Sequence, residues 1–141
     1  MIRVLRYRIL PAAVAVLALA AVTAQATAKP PLSDVPEIED PLFWVAVAHE
    51  VTKQCPSISA RYFKGFATLS ELRRRANELG YSDAEIKAYV ESPQQKARMR
   101  AKGEAFLADH GVTYDNLETF CVFGRAEIEK SSAIGVLLRA K

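Results

Sequence analysis

Two cysteines constrain the fold of this chain more than any other feature. Cys55 and Cys121 are its only cysteines and stand 66 positions apart. A bond between them would enclose most of the fold. In the chain-entropy model a disulfide at this spacing contributes about 4 kcal/mol, because the crosslink restricts the unfolded state. The alternative is two free buried thiols, and an oxidising compartment favours the disulfide.

The N-terminal segment has the pattern of a secretory signal peptide. Arg3, Arg6 and Arg8 precede an uncharged, almost wholly apolar run at residues 9–22, and small residues then permit cleavage after residue 26 or 28. That run of about 14 residues is shorter than the roughly 20 that a spanning helix needs, although a retained anchor is the alternative. We expect residues 1–26 to be removed, leaving a periplasmic or secreted protein with no stable membrane span.

Cleavage also removes the net charge. The chain has 19 basic and 16 acidic residues, a net charge of +3, and three of the basic residues are the arginines of the leader. The mature chain would therefore have 16 residues of each sign and a net charge of zero. The net positive charge of the full chain therefore comes from the signal peptide, and we expect no nucleic-acid partner.

The sequence predicts an extended arm at residues 27–40 and a helical domain at residues 41–141. The arm is rich in proline and acidic residues, which leaves little to bury. Asp40 is a candidate N-cap with Pro41 in the first helical position, so the first helix is expected to run from Pro41 to Gln54. A short strand is the competing interpretation of its apolar stretch.

Local start and stop signals predict four further helices. The second begins near Ser57 and ends at Gly80. A capping box opens the third at Ser82, and another opens the fourth at Ser92, while the fifth follows Asp115. The second helix has an apolar stripe at steps of three and four, formed by Tyr62, Phe66, Leu69, Leu72, Ala76 and Leu79. The apolar tail at 134–138 is expected to dock back. No strand pattern is visible, so the predicted fold is a compact all-α bundle of about five helices with one disulfide.

Candidate catalytic and metal-binding residues are few. His49 and Glu50 begin like the HExxH motif of zinc proteases, but Lys53 stands where the second histidine is required. His49 and His110 could join the cysteines in a zinc site, yet their spacing matches no zinc-finger pattern. We therefore predict neither a metal nor a cofactor.

The cationic runs are expected to be solvated helix faces, with an anionic partner as the alternative. Arg73, Arg74 and Arg75 point in different directions at 100° per residue. The same geometry separates Lys96 and Arg100 from Arg98 and Lys102.

The mature chain resembles a family of small exported alphaproteobacterial proteins known only as a domain of unknown function. The similar blocks are residues 55–61, 80–86, 121–128 and 137–141. Because two of these blocks contain the cysteines, the resemblance implies a disulfide throughout the family. It implies compartment and fold but supplies no catalytic or binding residues.

Two functions remain open from the sequence. The favoured hypothesis is a non-catalytic, envelope- or stress-associated protein that binds a periplasmic protein or envelope component, with Phe43 and Trp44 as possible partner-binding residues. The alternative is a small envelope-acting hydrolase that uses a carboxylate or His49 as acid/base. The sequence does not indicate the oligomeric state.

Overall fold

The fold is taken from a computed structural model that describes residues 28–141. The predicted signal peptide, residues 1–26, lies outside the described residues. Residues 28–141 form five α-helices and one pair of short β-strands. In chain order these are α1 (Pro36–Gln54), β1 (Ile58–Ala60), α2 (Tyr62–Glu78), α3 (Asp83–Glu91), α4 (Pro93–Asp109), α5 (Glu118–Lys130) and β2 (Leu138–Ala140). Single 3-10 turns lie at Leu32–Asp34 and Gly135–Leu137. The prediction of a mostly helical bundle of about five helices is confirmed.

Helix α1 is the central element of the core. Phe43, Val47 and Val51 recur at every fourth position and are at most 3% exposed, so they form one buried face. This face packs against α4, α5 and the segment that leads into β2. The buried residues of these elements and of β2 include Leu107, Phe120, Phe123, Ile134, Leu137 and Leu138. The apolar residues on the other sides of α1 are half-buried, which explains why the sequence looks apolar all round.

The disulfide between Cys55 and Cys121 is confirmed, with 5.2 Å between the two Cα atoms. It joins the residue that caps the C-terminus of α1 to the first half of α5. Gly124 lies one turn beyond Cys121 and lets α5 approach the core closely. A Cβ atom on Gly124 would come within 2.5 Å of the side chain of Ile58 and 2.8 Å of that of Val51.

The predicted start of the first helix at Pro41 was wrong. Helix α1 begins five residues earlier, at Pro36, and Pro41 lies inside it. An interior proline costs about 3 kcal/mol, but the earlier start buries Ile38 and brings Leu32 and Val35 against Ala76 and Tyr81. Burial contributes roughly 1.5–3 kcal/mol for each large apolar side chain, which is enough to offset the proline.

The prediction that the chain contains no strand was also wrong. Strands β1 and β2 pair antiparallel, with Ile58 opposite Ala140 and Ala60 opposite Leu138. The residues from Ser57 were expected to be helical, but α2 begins only at Tyr62. The predicted docking of the C-terminal apolar segment is confirmed, and this docking supplies the partner that makes residues 58–60 a strand.

The apolar stripe of α2 is covered along only half of its length. Leu72, Ala76 and Leu79 pack in the second apolar cluster. Tyr62 and Phe66, at the other end of the stripe, are 79% and 73% exposed. The N-terminal half of α2 therefore carries an apolar surface that no other element covers among residues 28–141.

Candidate functional site

A groove of about 370 Å³ lies between α1 and α4, with α3 at one side. Leu42, Ala46 and Val47 line it from α1, and Met99 and Leu107 line it from α4. Leu42 and Ala46 are four positions apart and Met99 and Leu107 are eight apart, so each helix turns one apolar strip toward the groove. The floor of the groove is therefore apolar.

One end of the groove is lined by Glu50, whose carboxylate makes several polar contacts. Its Oε1 atom accepts hydrogen bonds from Gln54 Nε2 at 2.7 Å and from the Tyr114 hydroxyl at 3.2 Å. The Lys53 ammonium lies 3.9 Å from the other carboxylate oxygen. Burial and, secondarily, the charge of Glu50 raise the pKa of Tyr114. Glu50 thus links α1 to the loop before α5 through Tyr114.

Two cations line the groove from α4. Lys96 and Arg100 stand one turn apart, and neither makes an ion pair with any of residues 28–141. Arg98 and Lys102 lie on another side of the same helix and approach Glu39 instead, at 2.7 and 4.0 Å. The predicted division of these four residues into two faces is confirmed.

Glu39 anchors α1 to α3 and α4 beside the groove. It is 4% exposed and accepts hydrogen bonds from Arg98 and from the hydroxyl of Tyr89, a residue that also lines the groove. Burial and the contact with Glu39 raise the pKa of Tyr89 to about 12. Every polar atom in this buried contact has a partner, so the walls of the groove are held at a fixed spacing.

The two residues predicted to bind a partner do not line the groove. Phe43 is 3% exposed and belongs to the core. Trp44 is half-buried, and its ring packs 4.9 Å from Phe43 and 5.5 Å from Phe106, measured between ring centroids. The apolar tail at 134–138, which was expected to dock back, is largely buried and offers little surface to a partner. A partner-binding role for Phe43 and Trp44 stays a prediction.

The histidines and cysteines considered for zinc do not come together. The cysteines are oxidised to the disulfide, His49 lines the groove, and His110 packs against Phe106 and Phe123 on another surface. Within residues 28–141 no group of three or more side chains has the arrangement of a metal site.

The three arginines from Arg73 to Arg75 are all paired. Arg73 binds Asp83 at 2.7 Å, Arg74 binds Glu71 and Glu78, and Arg75 binds Glu37 at 2.6 Å. These ion pairs join α2 to α3 and to the start of α1, and their side chains remain partly exposed. The run is therefore a neutralised helix surface.

Sequence reasoning missed the groove, although part of its signal was visible. Lys96, Met99, Arg100, Gly103 and Leu107 recur at helical spacing along α4. Which element lies opposite this face depends on long-range packing, so the spacing alone could not identify the groove.

The fold and groove define a class, a small helical protein with one disulfide and an open apolar groove. The family model described as "Family of unknown function (DUF5333)" matches residues 30–139. The chain belongs to this family, and the predicted membership of a family of unknown function is confirmed. No curated protein and no solved structure matches the chain. Between residues 28 and 141, no helix combines the length and the apolar character needed to cross a membrane.

Proposed function

We propose that this protein is exported to the periplasm or beyond and acts there as a non-catalytic binding protein of the cell envelope. Its groove between α1 and α4 would take the apolar chain of an acidic amphiphile. The observation that carries the proposal is an apolar floor beside two cations, Lys96 and Arg100, that have no ion-pair partner among residues 28–141.

The size and lining of the groove suit a small amphiphile. Small-molecule pockets usually have volumes of about 300–1,000 Å³ and combine apolar walls with a few placed polar groups. The volume of about 370 Å³ lies near the lower end of that range. The floor favours a hydrocarbon chain, because moving it out of water contributes about 0.8 kcal/mol for each buried CH₂ group.

The charges beside the groove favour an acidic headgroup. Lys96 and Arg100 stand one turn apart on α4, so one carboxylate or phosphate could contact both. Glu50 also lines the groove, but its Oε1 atom already accepts hydrogen bonds from Gln54 and Tyr114. Glu104, one turn beyond Arg100 on α4, also lines the groove. An acidic headgroup would therefore lie toward Lys96, away from Glu104.

The binding test uses decanoate, with decanol as its uncharged counterpart, and isothermal titration of the disulfide-bonded protein. We expect decanoate to bind more tightly than decanol. The combined variant Lys96→Gln, Arg100→Gln should weaken decanoate binding at least tenfold, or about 1.4 kcal/mol, and leave decanol binding unchanged. The matched control, Lys87→Gln with Arg125→Gln, removes two exposed cations elsewhere and should have no effect.

A groove-filling variant supplies an independent check. Gly103 lines the groove, and a Cβ atom there would meet only the Phe43 ring, at 4.0 Å. Gly103→Leu should therefore retain the fold and reduce the binding of both decanoate and decanol. Unchanged binding of either compound would show that the ligand occupies another surface.

Export has its own test. The disulfide supports an oxidising compartment, and the mass of the denatured protein recovered from its own cells should correspond to loss of residues 1–26 or 1–28. A mass that includes the leader would contradict export with cleavage.

One observation favours the alternative, a small hydrolase acting on envelope material. His49 and Glu50, the residues considered for acid/base chemistry, both line the groove. The test is hydrolysis of 4-nitrophenyl decanoate by the wild type, His49→Ala and Glu50→Gln. Turnover that disappears in either variant would support catalysis and overturn the non-catalytic proposal. Equal background rates in all three proteins would support binding alone.

A further inference from the structure

The first half of α2 presents aromatic side chains to solvent. Tyr62, Phe63 and Phe66 are 79%, 95% and 73% exposed, and Leu69 is 42% exposed. At 100° per residue, Tyr62, Phe66 and Leu69 lie on one side of the helix, with Phe63 beside them. Soluble proteins rarely expose several large apolar side chains together unless the patch binds something.

This aromatic face is surrounded by positive charge. Strand pairing brings residues 58–61 next to residues 137–140, because Ile58 lies opposite Ala140 and the Arg61 backbone N–H donates to the Leu137 carbonyl at 2.8 Å. Arg61 and Lys64 at the start of α2 and Arg139 in β2 are cations, and residues 56–70 and 131–140 contain no acidic residue. All three cations are exposed, and none makes an ion pair within residues 28–141.

The direction of α2 adds to this charge. Its N-terminus lies at the aromatic face, has no side-chain cap and has no acidic residue in the first turn. The positive end of the helix dipole is therefore left uncompensated there. Aromatic side chains and uncompensated positive charge occupy the same end of the molecule.

We propose that this aromatic–basic face, formed by Arg61, Tyr62, Phe63, Lys64, Phe66 and Arg139, docks the protein on the surface of an anionic phospholipid bilayer. Aromatic rings lie favourably at headgroup depth, and cationic side chains near an anionic bilayer each contribute about 1 kcal/mol. The protein rests on the surface through the start of one helix, as interfacial elements with an apolar side and basic flanks do.

The shape of the face favours a lipid surface over a protein partner. Three aromatic side chains bury up to about 750 Å², close to the roughly 800 Å² that a stable protein interface takes from each partner, so the shape of the face decides between the two. The side chains project from a single helix and do not line a concave surface. A bilayer accepts such a projection because its headgroup region deforms around it.

Binding at this face does not depend on the groove. None of the residues that line the groove belongs to α2. Binding of decanoate and binding to a bilayer can therefore each succeed or fail without the other.

The test is co-sedimentation of the disulfide-bonded protein, purified after export, with two kinds of vesicle. One kind contains phosphatidylcholine alone, and the other contains equal amounts of phosphatidylcholine and phosphatidylglycerol. We expect binding to the anionic vesicles only, weakened by added salt because exposed charges are screened. An unprocessed leader would bind both kinds of vesicle, so the mass of the protein is checked first.

Two pairs of substitutions separate the aromatic from the electrostatic contribution. Phe63→Ser with Phe66→Ser should abolish sedimentation, and Arg61→Gln with Lys64→Gln should weaken partition about thirtyfold. The matched control is Val122→Ser, because Val122 is exposed on α5. All of these side chains are exposed, so each variant should melt at the temperature of the wild type.

Three results would overturn the proposal. One is no binding of the wild type to anionic vesicles, and another is equal binding to both kinds of vesicle. The third is vesicle binding that survives the double phenylalanine substitution. If the same face instead retains an acidic protein and no vesicle, the occupant is a protein and the lipid assignment is wrong.

Discussion

Reduction of the Cys55–Cys121 disulfide should lower stability sharply. The bond spans 66 positions and connects the end of α1 to α5. In the chain-entropy model the loss is about 4 kcal/mol, because the reduced unfolded chain regains the freedom that the crosslink removes. Small domains have total stabilities of about 5–15 kcal/mol. With an unfolding entropy of about 2.1 cal/mol/K per residue, the melting temperature should fall by roughly 15 °C.

Circular dichroism during heating measures this difference directly. The oxidised protein is compared with the same protein in the presence of a phosphine reductant. The control is the variant Cys55→Ala, Cys121→Ala, whose melting temperature the reductant should not change. Because both cysteines are buried, at 0% and 4% exposure, this variant also loses packing and should melt no higher than the reduced protein. Melting temperatures within about 3 °C for the oxidised and reduced proteins would refute the reasoning.

Three further predictions follow from packing and protonation. Gly124→Ala should destabilise the protein by about 1–3 kcal/mol in urea unfolding, because its methyl group would overlap the side chains that face Gly124; the control Gly65→Ala, which meets nothing within 4 Å, should stabilise α2 by about 0.5–1 kcal/mol. Glu85 accepts hydrogen bonds from Ser82 and Lys29 that lower its pKa from 4.5 to about 2, so its contribution is complete above pH 4.5 and should be lost as the pH falls through about 2. Glu85→Gln should flatten that part of the acid unfolding curve. The pKa of Tyr89 is raised from 10.0 to about 12, so its contribution is complete below pH 10 and should be lost as the pH rises through about 12; Tyr89→Phe should flatten the alkaline curve, and an unchanged curve would contradict the assignment.

Helix ends set by local chemistry could be predicted from the sequence. Ser82 and Glu85 form both hydrogen bonds of the predicted capping box. At the next helix Ser92 accepts from the Gln95 backbone N–H, but the Gln95 side-chain oxygen accepts from Arg98, so only half of the predicted capping box forms. Each of these signals involves residues three positions apart, so the information is contained in the local sequence.

Features that depend on distant residues could not be predicted in the same way. Asp40 followed by Pro41 has the pattern of a helix start. The helix nevertheless begins earlier, because the earlier start allows Leu32 and Ile38 to be buried. The groove and the aromatic face could not be predicted for the same reason. Their residues were visible as helical stripes, but a stripe does not reveal whether another element covers it.

The pairing of β1 with β2 has a consequence for the order in which the fold can form. Residues 58–60 find their partner only at residues 138–140, and Leu137 and Leu138 complete the core around α1 and α5. For a chain that emerges N-terminus first from a ribosome, residues up to 140 must appear before the core can close. Slow closure of such long-range contacts keeps a chain unfolded for longer. A chain built this way keeps residues 58–60 without their strand partner until residues 138–140 have emerged.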